Sequence, residues 1–436
     1  MSRFTPMIAA WLAAAQAALA QPPTPPVGEE RATIIAGIRE SYPTMPDTLV
    51  EKMADRRRAV DEASPCELVD WLRAPGSGLA DEPRTSLDAL SICVLAVDDL
   101  DSAAVEARLG DESFRFDVEG GTVTMLARSG EDDVHVCCSL QIALDRLGGS
   151  DLWVARRRVA GLDAAMLSLT SELGRFDSFQ TWRGPNAPPK PDEAELGKWA
   201  GQVIERELAS TALGEIRKLS IYLPPEYTKD QVWPALFLAD GGAVEFGGLV
   251  EKMIAVGEIK PIVIISAESG ESGIVGDAPT QFNDLRAAEY LRGFPDSADR
   301  FERHMDFFAE ELVDYAVTEF NVSTRREDRA VGGKSNGGVL ALWAGVLHPD
   351  VFAAAIPMSP GYVKMKVDDL PPGQRAAFHL AAGLYEPSFI AAAKRTEAML
   401  EAEGFAVTGR YYAGGHFHDL WAVALRDVLL EIFPQR

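Results

Sequence analysis

The 436-residue sequence predicts an α/β protein whose main domain has a mostly parallel sheet, preceded by a smaller domain of helices and short strands. Three observations lead to this prediction. Strand-like and helical segments alternate over 196–436, a pattern typical of βαβ units and therefore of parallel strands. Over 21–183 the β-type segments are short and separated by Gly and Asp turn signals. A Pro-rich stretch at 184–195 divides the two patterns and is the expected linker.

In the main domain, apolar and β-branched runs predict strands, and apolar residues at helical spacing predict helices. The expected strands are 219–223, 235–239, 262–266, 329–332, 353–358, 377–381 and 406–412. The expected helices are 244–254, 305–320, 337–347, 388–403 and 420–433. This length is common for one α/β domain, so we expect a single domain over 196–436.

The preceding domain, 21–183, combines two kinds of segment. Prolines punctuate helical runs within 29–75, which predicts three helices there. The β-type segments that follow predict a small antiparallel sandwich. Its expected strands are 89–97, 113–118, 122–127, 134–138, 153–159 and 165–169.

The N-terminus has the pattern of a signal peptide. An apolar, Ala-rich run follows Arg3 and ends in Ala18-Leu19-Ala20, which has the small-x-small form of a cleavage site. The run is shorter than the roughly 20 apolar residues that a spanning helix needs. We therefore expect residues 1–20 to be removed and the mature protein to be periplasmic or secreted, with no stable membrane insertion. An uncleaved anchor or a cytosolic N-terminus is the alternative.

The net charge and the cysteine pattern disfavour several kinds of partner and binding site. The 42 Lys and Arg against 66 Asp and Glu give a net charge of −24, which disfavours binding to nucleic acid and to anionic membrane surfaces. Cys66, Cys93, Cys137 and Cys138 allow three disulfide connectivities in an oxidising compartment. No C-x-x-C motif is present and only His135 lies near the vicinal pair Cys137 and Cys138, so we do not expect a zinc site. The sequence implies no other metal and no organic cofactor.

The clearest chemical motif is G-x-S-x-G at residues 333–337. It lies after an expected strand and before an expected helix, which is the context that this motif requires. The turn would hold Ser335 in strained backbone at the carboxyl edge of the sheet, as a nucleophile. The alternative is a structural glycine-rich turn without a nucleophile.

A nucleophilic serine needs a base, and a histidine is the usual one. Proteins with this motif order their triad as serine, acid and histidine, with the histidine late in the chain. His416 follows the strand 406–412 through two glycines and is the favoured base; His418 is its alternative.

The acid is expected in the loop after the strand 377–381, where Glu386 is the available carboxylate. Asp419 is a rival, but we expect it to cap the last helix instead. The oxyanion of the reaction would be held by the N–H of Asn336 and by that of Gly241 or Gly242, which follow the strand 235–239.

With these motifs the chain resembles the enterochelin esterase-like, or putative esterase, family of α/β-hydrolases. The matching stretches are 181–188, 213–217, 221–227, 237–242, 286–290, 333–338, 348–352 and 414–416. The resemblance covers residues 180–436. It implies that Ser335, Glu386 and His416 are the family's catalytic triad. It also implies an immunoglobulin-like β domain before the catalytic one. The helical segment 29–75 and the signal peptide depart from the family pattern.

The sequence therefore predicts a secreted or periplasmic serine carboxylesterase that works through an acyl-enzyme. The family resemblance implies a small-molecule or glycan ester as substrate, either a siderophore-like lactone or a carbohydrate-linked acetyl or feruloyl ester. Acyl transfer to an alcohol shares the same triad. A relative that binds a glycan or another ligand without catalysis is the alternative from another class, because a fold does not prove a function. The oligomeric state stays open.

Overall fold

The computed structural model describes residues 92–435, apart from 96, 98, 133, 141, 160, 172–179, 196, 271, 275–281, 295–298, 362 and 364–372. The expected signal peptide and the expected helices within 29–75 lie outside the described residues. So do the side chains of all four cysteines. In the described part of the chain, no helix is long and apolar enough to cross a membrane.

The chain divides into two compact units. The first runs to Pro185 without Met166–Ser168, and the second consists of Met166–Ser168 and Asn186–Arg436. The division at 185/186 falls within the Pro-rich stretch. The domain bounds expected from the sequence stay a prediction.

The strands of the first unit form two antiparallel sheets. The strands are β1 (Ile92–Val94), β2 (Phe114–Glu119), β3 (Thr122–Arg128), β4 (His135–Cys138), β5 (Ile142–Ala143), β6 (Asp145–Arg146), β7 (Leu152–Val159), β8 (Met166–Ser171) and β9 (Gln180–Arg183). One sheet has the order β1-β7-β3-β2 with β6 beside β7, and the other has the order β5-β4-β8-β9. Helix α1 (Ser102–Leu109), which the sequence analysis did not predict, packs Val105 and Leu109 against Leu126 and Val154.

The second unit is built on a mixed eight-stranded sheet. The strands of the unit, including two outside this sheet, are β10 (Gln202–Ser210), β11 (Glu215–Leu223), β12 (Ala235–Leu238), β13 (Val263–Ala267), β14 (Ser272–Ile274), β15 (Phe282–Asp284), β16 (Arg329–Lys334), β17 (Ala354–Met358), β18 (Ala377–Gly383) and β19 (Val407–Tyr412). The order in the sheet is β10-β11-β13-β12-β16-β17-β18-β19. From β13 to β19 all pairs are parallel, whereas β10 and β11 are antiparallel additions and β14 and β15 form a separate hairpin. This confirms the predicted α/β class.

Helices cover both faces of this sheet. They are α2 (Gly242–Ala255), α3 (Leu285–Tyr290), α4 (Arg300–Asp306), α5 (Leu312–Phe320), α6 (Asn336–Leu347), α7 (Pro387–Ala402) and α8 (His418–Ile432). Neighbours along a strand point to opposite faces: Phe237 and Ile265 belong to one buried cluster, and Leu236 and Ile264 belong to the other. A parallel sheet buried on both faces requires such continuous apolar strands, which is why its central strands are readable from the sequence.

Several parts of the second unit differ from the expectation, among them the hairpin of β14 and β15 and helix α3, which were not predicted. The single helix expected over 305–320 begins earlier and is interrupted by a π-helical turn at Phe307–Glu311. Strand β10 was not predicted because its central residues are charged and exposed, as befits an edge strand, so it lacks the apolar alternation of a half-buried strand.

Candidate active site

The sharp turn between β16 and α6 holds Ser335. Its φ of 55° and ψ of −125° lie where residues with a side chain are strained. A Cβ on Gly333 would lie 2.2 Å from the carbonyl oxygen of Gly337, and a Cβ on Gly337 would lie 2.8 Å from a carboxylate oxygen of Asp240. Both glycines of the motif are therefore required by close approach. Ser335 itself is half-buried, so it is accessible from solvent.

Glu386 and His416 are in direct contact. Oε1 of Glu386 hydrogen-bonds Nδ1 of His416, and the Glu386 side chain is fully buried at the N-terminus of α7. The other carboxylate oxygen, Oε2, accepts hydrogen bonds from the backbone N–H of Gly383 and from the hydroxyl of Ser359, the latter at 2.8 Å. Both oxygens of the buried carboxylate thus have hydrogen-bond partners, which suits a group that orients an imidazole.

Packing fixes the plane of the His416 ring. The ring stacks on Phe389 with centroids 4.2 Å apart and meets the edge of Trp421 at 4.9 Å. Only 9% of the His416 side chain is exposed. A Cβ on Gly383 would lie 2.0 Å from the carbonyl oxygen of Gly414, so the loops that carry acid and histidine approach as closely as they do only because residue 383 is glycine.

The parallel sheet brings the three predicted triad positions to one edge. Ser335 follows β16, Glu386 follows β18 and His416 follows β19, and parallel strands place their carboxyl ends together. The backbone N–H of Ser335 also donates to the carbonyl of Met358, at the end of the strand between them, at 2.9 Å.

The expected oxyanion donors lie at two helix N-termini. Asn336 begins α6, so its N–H has no acceptor within the helix. Gly242 begins α2, and Gly241 precedes it with a φ of 65°. The N–H of Gly241 donates to Ala267 at 3.1 Å, and that of Gly242 donates to Ala239 at 3.2 Å. To bind an oxyanion, the N–H of either glycine would therefore have to give up the backbone hydrogen bond that it makes in this structure.

His418, the alternative base, is bound between two carboxylates. Its Nε2 is 2.9 Å from Oε1 of Glu193, and its Nδ1 is 3.2 Å from Oε1 of Glu245. Burial disfavours the charged imidazole, but these two hydrogen bonds outweigh it and raise the pKa of His418 to about 9. At neutral pH His418 is therefore protonated and unsuited to act as a base, which favours His416. The expectation that Asp419 caps α8 is wrong, because the N-cap is Phe417 and Asp419 lies in the first turn.

A polar network beside the turn at Ser335 was not predicted from the sequence. Nζ of Lys334, the residue before Ser335, forms an ion pair with Glu245 and lies 5.0 Å from the centre of the Trp421 ring. Through Glu245 and His418 the network reaches Glu193, in the Pro-rich segment that the sequence predicted only as a linker. Only the fold brings these separated residues together, so sequence spacing carried no signal for them.

Arg286 belongs to a second unpredicted contact. It binds Asp240 in a bidentate ion pair, with both N–O distances 2.7 Å. Glu289, which lies at helical spacing from Arg286, is instead buried with Arg217 and Arg300. Arg286 therefore brings no uncompensated positive charge to the site. Within the residues that the structure describes, no group of three or more His, Cys, Asp or Glu side chains is arranged to hold a metal ion.

A family model matches part of the second unit. Residues 210–403 match the family model described as "Putative esterase". This match confirms the family resemblance seen in the sequence, and the second unit has the α/β-hydrolase fold. The immunoglobulin-like character of the first unit stays a prediction.

Solved structures with similar folds are esterases as well. The chain is similar to the enterobactin esterase of Shigella flexneri, solved in the presence of enterobactin, with 16% identity, a TM-score of 0.53, and coverage of 78% of this chain and 99% of that one. It is similar to the ferric enterobactin esterase of Salmonella typhimurium, with 17% identity, a TM-score of 0.51, and coverage of 75% and 98%. At these identities the similarity establishes the fold.

Proposed function

We propose that this esterase is a serine hydrolase that cleaves a carboxylic ester through an acyl-enzyme on Ser335. The observation that supports this most directly is the buried Glu386–His416 pair at the same sheet edge as the strained Ser335 turn. Such an arrangement provides a nucleophile, a base and a carboxylate that orients the base.

In the first half of the proposed reaction, Oγ of Ser335 attacks the ester carbonyl while Nε2 of His416 takes the hydroxyl proton. Glu386 holds the Nδ1 proton and stabilises the imidazolium that forms. The oxyanion is held by the N–H of Asn336 and by that of Gly241 or Gly242. His416 then gives its proton to the departing alcohol, which leaves the acyl-enzyme.

In the second half, water attacks the acyl carbon and gives a proton to His416. Collapse of the intermediate returns that proton to Ser335 and releases the carboxylic acid. If an alcohol replaces the water, the same steps produce a new ester, so acyl transfer is the related alternative. Sugar and glycerol acceptors distinguish the two by their products.

We propose a siderophore-like lactone ester as the first substrate class, because the similarity to enterobactin esterases extends over most of this chain. A carbohydrate-linked acetyl or feruloyl ester is the second class. The pairing of Arg286 with Asp240 favours this second class, since the guanidinium is not free to bind a strongly anionic ferric complex. From the N-terminal sequence we also propose a periplasmic or secreted location, which cell fractionation and N-terminal sequencing test.

The mechanism is tested by intact mass after reaction with a fluorophosphonate probe. We expect one adduct on the wild type, none on Ser335→Ala, and strongly slowed labelling of His416→Ala and Glu386→Gln. His418→Gln is the matched control, because it removes the neighbouring histidine and should label at nearly the wild-type rate. A folded wild type that takes no adduct would exclude the mechanism, and slow labelling of His418→Gln alone would assign the base to His418.

A further inference from the structure

Ser359 and Trp421 form a buried relay behind the Glu386–His416 pair. Nε1 of Trp421 donates to the hydroxyl of Ser359 at 3.0 Å, and that hydroxyl donates to Oε2 of Glu386 at 2.8 Å. An indole N–H can only donate and a carboxylate can only accept, so both hydrogen bonds have a determined direction. The hydroxyl proton of Ser359 must therefore point to Glu386.

The backbone at Ser359 is strained in a way that serves this contact. Ser359 directly follows β17, is fully buried, and has a φ of 44°, in the left-handed region where glycine is favoured. Its N–H donates to Ala381 of the neighbouring strand. A strained residue with a side chain persists where its surroundings hold it, and such residues concentrate at functional sites. A glycine would adopt this turn more easily but would supply no hydroxyl.

Trp421 also packs against His416. The two rings are nearly perpendicular, with centroids 4.9 Å apart, so one indole both packs on His416 and, through Ser359, is connected to Glu386. Met358, the residue before Ser359, accepts the N–H of Ser335. The end of β17 is thereby connected to all three proposed triad positions.

We propose that Ser359 and Trp421 are positioning residues that orient Glu386 and, through it, His416. This inference rests on the proposed function of the Glu386–His416 pair. Removing the Ser359 hydroxyl takes one hydrogen-bond donor from the Glu386 carboxylate. Because the carboxylate loses this stabilisation, we expect the Glu386–His416 pair of the variant to bind a proton at higher pH than that of the wild type. The acidic limb of the pH–activity profile then moves to higher pH.

The test uses Ser359→Ala, Ser359→Gly and Trp421→Phe in the full chain, with the fluorophosphonate labelling rate measured against pH. Loss of a hydrogen bond to a charged group predicts labelling slowed about ten- to a hundredfold in both Ser359 variants, with the acidic limb shifted upward in each. Ser359→Gly relieves the backbone strain, so it should keep at least the wild-type melting temperature while losing rate. Trp421→Phe keeps a ring against His416 and should show a smaller change in the same direction.

Ser323→Ala is the matched control. Ser323 is also buried and donates to a carboxylate, Asp328, at 2.8 Å, but it lies near the opposite end of β16 from the nucleophile. Its loss should leave the rate and the pH profile unchanged. Wild-type rate and pH profile in both Ser359 variants would overturn the proposal. So would recovery in Ser359→Gly alone, because only strain would then matter.

A second readout separates this inference from the serine mechanism. The proton between Nδ1 of His416 and Glu386 should give a far-downfield NMR signal, assigned by its absence in His416→Ala. If the wild type is not labelled but this signal weakens in the Ser359 variants, the positioning role stands and the serine mechanism fails. A signal that is unchanged in the variants, or absent from the wild type, overturns the positioning role.

Discussion

The carbonyl oxygen of Met358 accepts a 2.9 Å hydrogen bond from the N–H of Ser335, which connects the turn at Ser335 to the neighbouring parallel strand. Ser335 is held in this turn with a positive φ although it is not glycine. The surrounding strands and helix α6 thus maintain a conformation that the residue itself disfavours. A substitution of Ser335 that relieves this strain should therefore stabilise the folded protein while removing the proposed reactivity.

We first predict that Ser335→Gly is more stable than Ser335→Ala, by about 1 kcal/mol of unfolding free energy, because glycine adopts a positive φ without strain. Both variants should fail to react with the fluorophosphonate probe. Urea unfolding of the two variants measures the difference. At Ser323, whose φ is not positive, the order should reverse, with alanine the more stable. An equal or lower stability of Ser335→Gly would contradict the strain argument.

The second prediction concerns the pH dependence that His418 confers. Its folded-state pKa of about 9 lies above the ordinary value of 6.5, so its bonds to Glu193 and Glu245 contribute fully below pH 6.5. The contribution is lost as pH rises through 9. Since 30% of the His418 side chain is exposed, solvent screening limits the effect to on the order of 2 kcal/mol.

Urea unfolding of the wild type and His418→Gln at a series of pH values tests this prediction. The wild type should be the more stable protein at pH 6, and the difference should disappear above pH 9. Glu193→Gln removes one of the two carboxylates and should move the transition to lower pH. A difference between wild type and His418→Gln that does not vary with pH would show that His418 acts by packing alone.

The third prediction has the opposite sign and concerns His304. This side chain is buried among Tyr290, Phe307 and Phe308. Its Nδ1 lies 3.5 Å from Oε2 of Glu289, and neither ring nitrogen makes a hydrogen bond among the described residues. Burial, aided by the nearby Arg217, lowers the pKa of His304 to about 3. The unfolded chain takes up a proton near pH 6.5 and the folded chain does not, so stability falls as pH decreases below 6.5.

His304→Phe should remove this loss, because phenylalanine fills the space among the three aromatic rings without a titratable group. Thermal unfolding between pH 4 and pH 8 measures it: the variant should gain stability over the wild type as pH falls, with a constant difference above pH 7. Parallel profiles for the two proteins would mean that His304 is already protonated or is satisfied in the folded state.

The fourth prediction compares a buried and an exposed carboxylate. Glu289 is fully buried and binds Arg217 and Arg300, whereas Glu195 pairs with Lys198 while both side chains are more than two-thirds exposed. Glu289→Gln leaves the buried guanidinium groups of Arg217 and Arg300 paired with Glu215, a carboxylate that is 40% exposed, and should cost about 3–5 kcal/mol of unfolding free energy. Glu195→Gln should cost under about 1 kcal/mol. Similar losses in the two variants, measured by urea unfolding, would show that the buried network is more hydrated than its packing indicates.

Much of the second unit was predictable from local sequence. Its central strands are continuous apolar runs because both faces of a parallel sheet are buried, and the strand–Gly-Lys-Ser-Asn-Gly–helix pattern locates the turn at Ser335. The edge strand β10 and the π-helical interruption were missed. An exposed edge lacks apolar alternation, and a π turn has no distinct residue pattern.

The sequence by itself determined the fold class, the turn at Ser335, and the positions of Glu386 and His416 as acid and base candidates, since each depends on short-range patterns and their order along the chain. Tertiary structure alone decided which side chains surround them. Ser359, Trp421 and the two carboxylates that bind His418 come from segments far apart in sequence. Their contacts depend on strand order and on the directions of buried side chains, which no local pattern encodes.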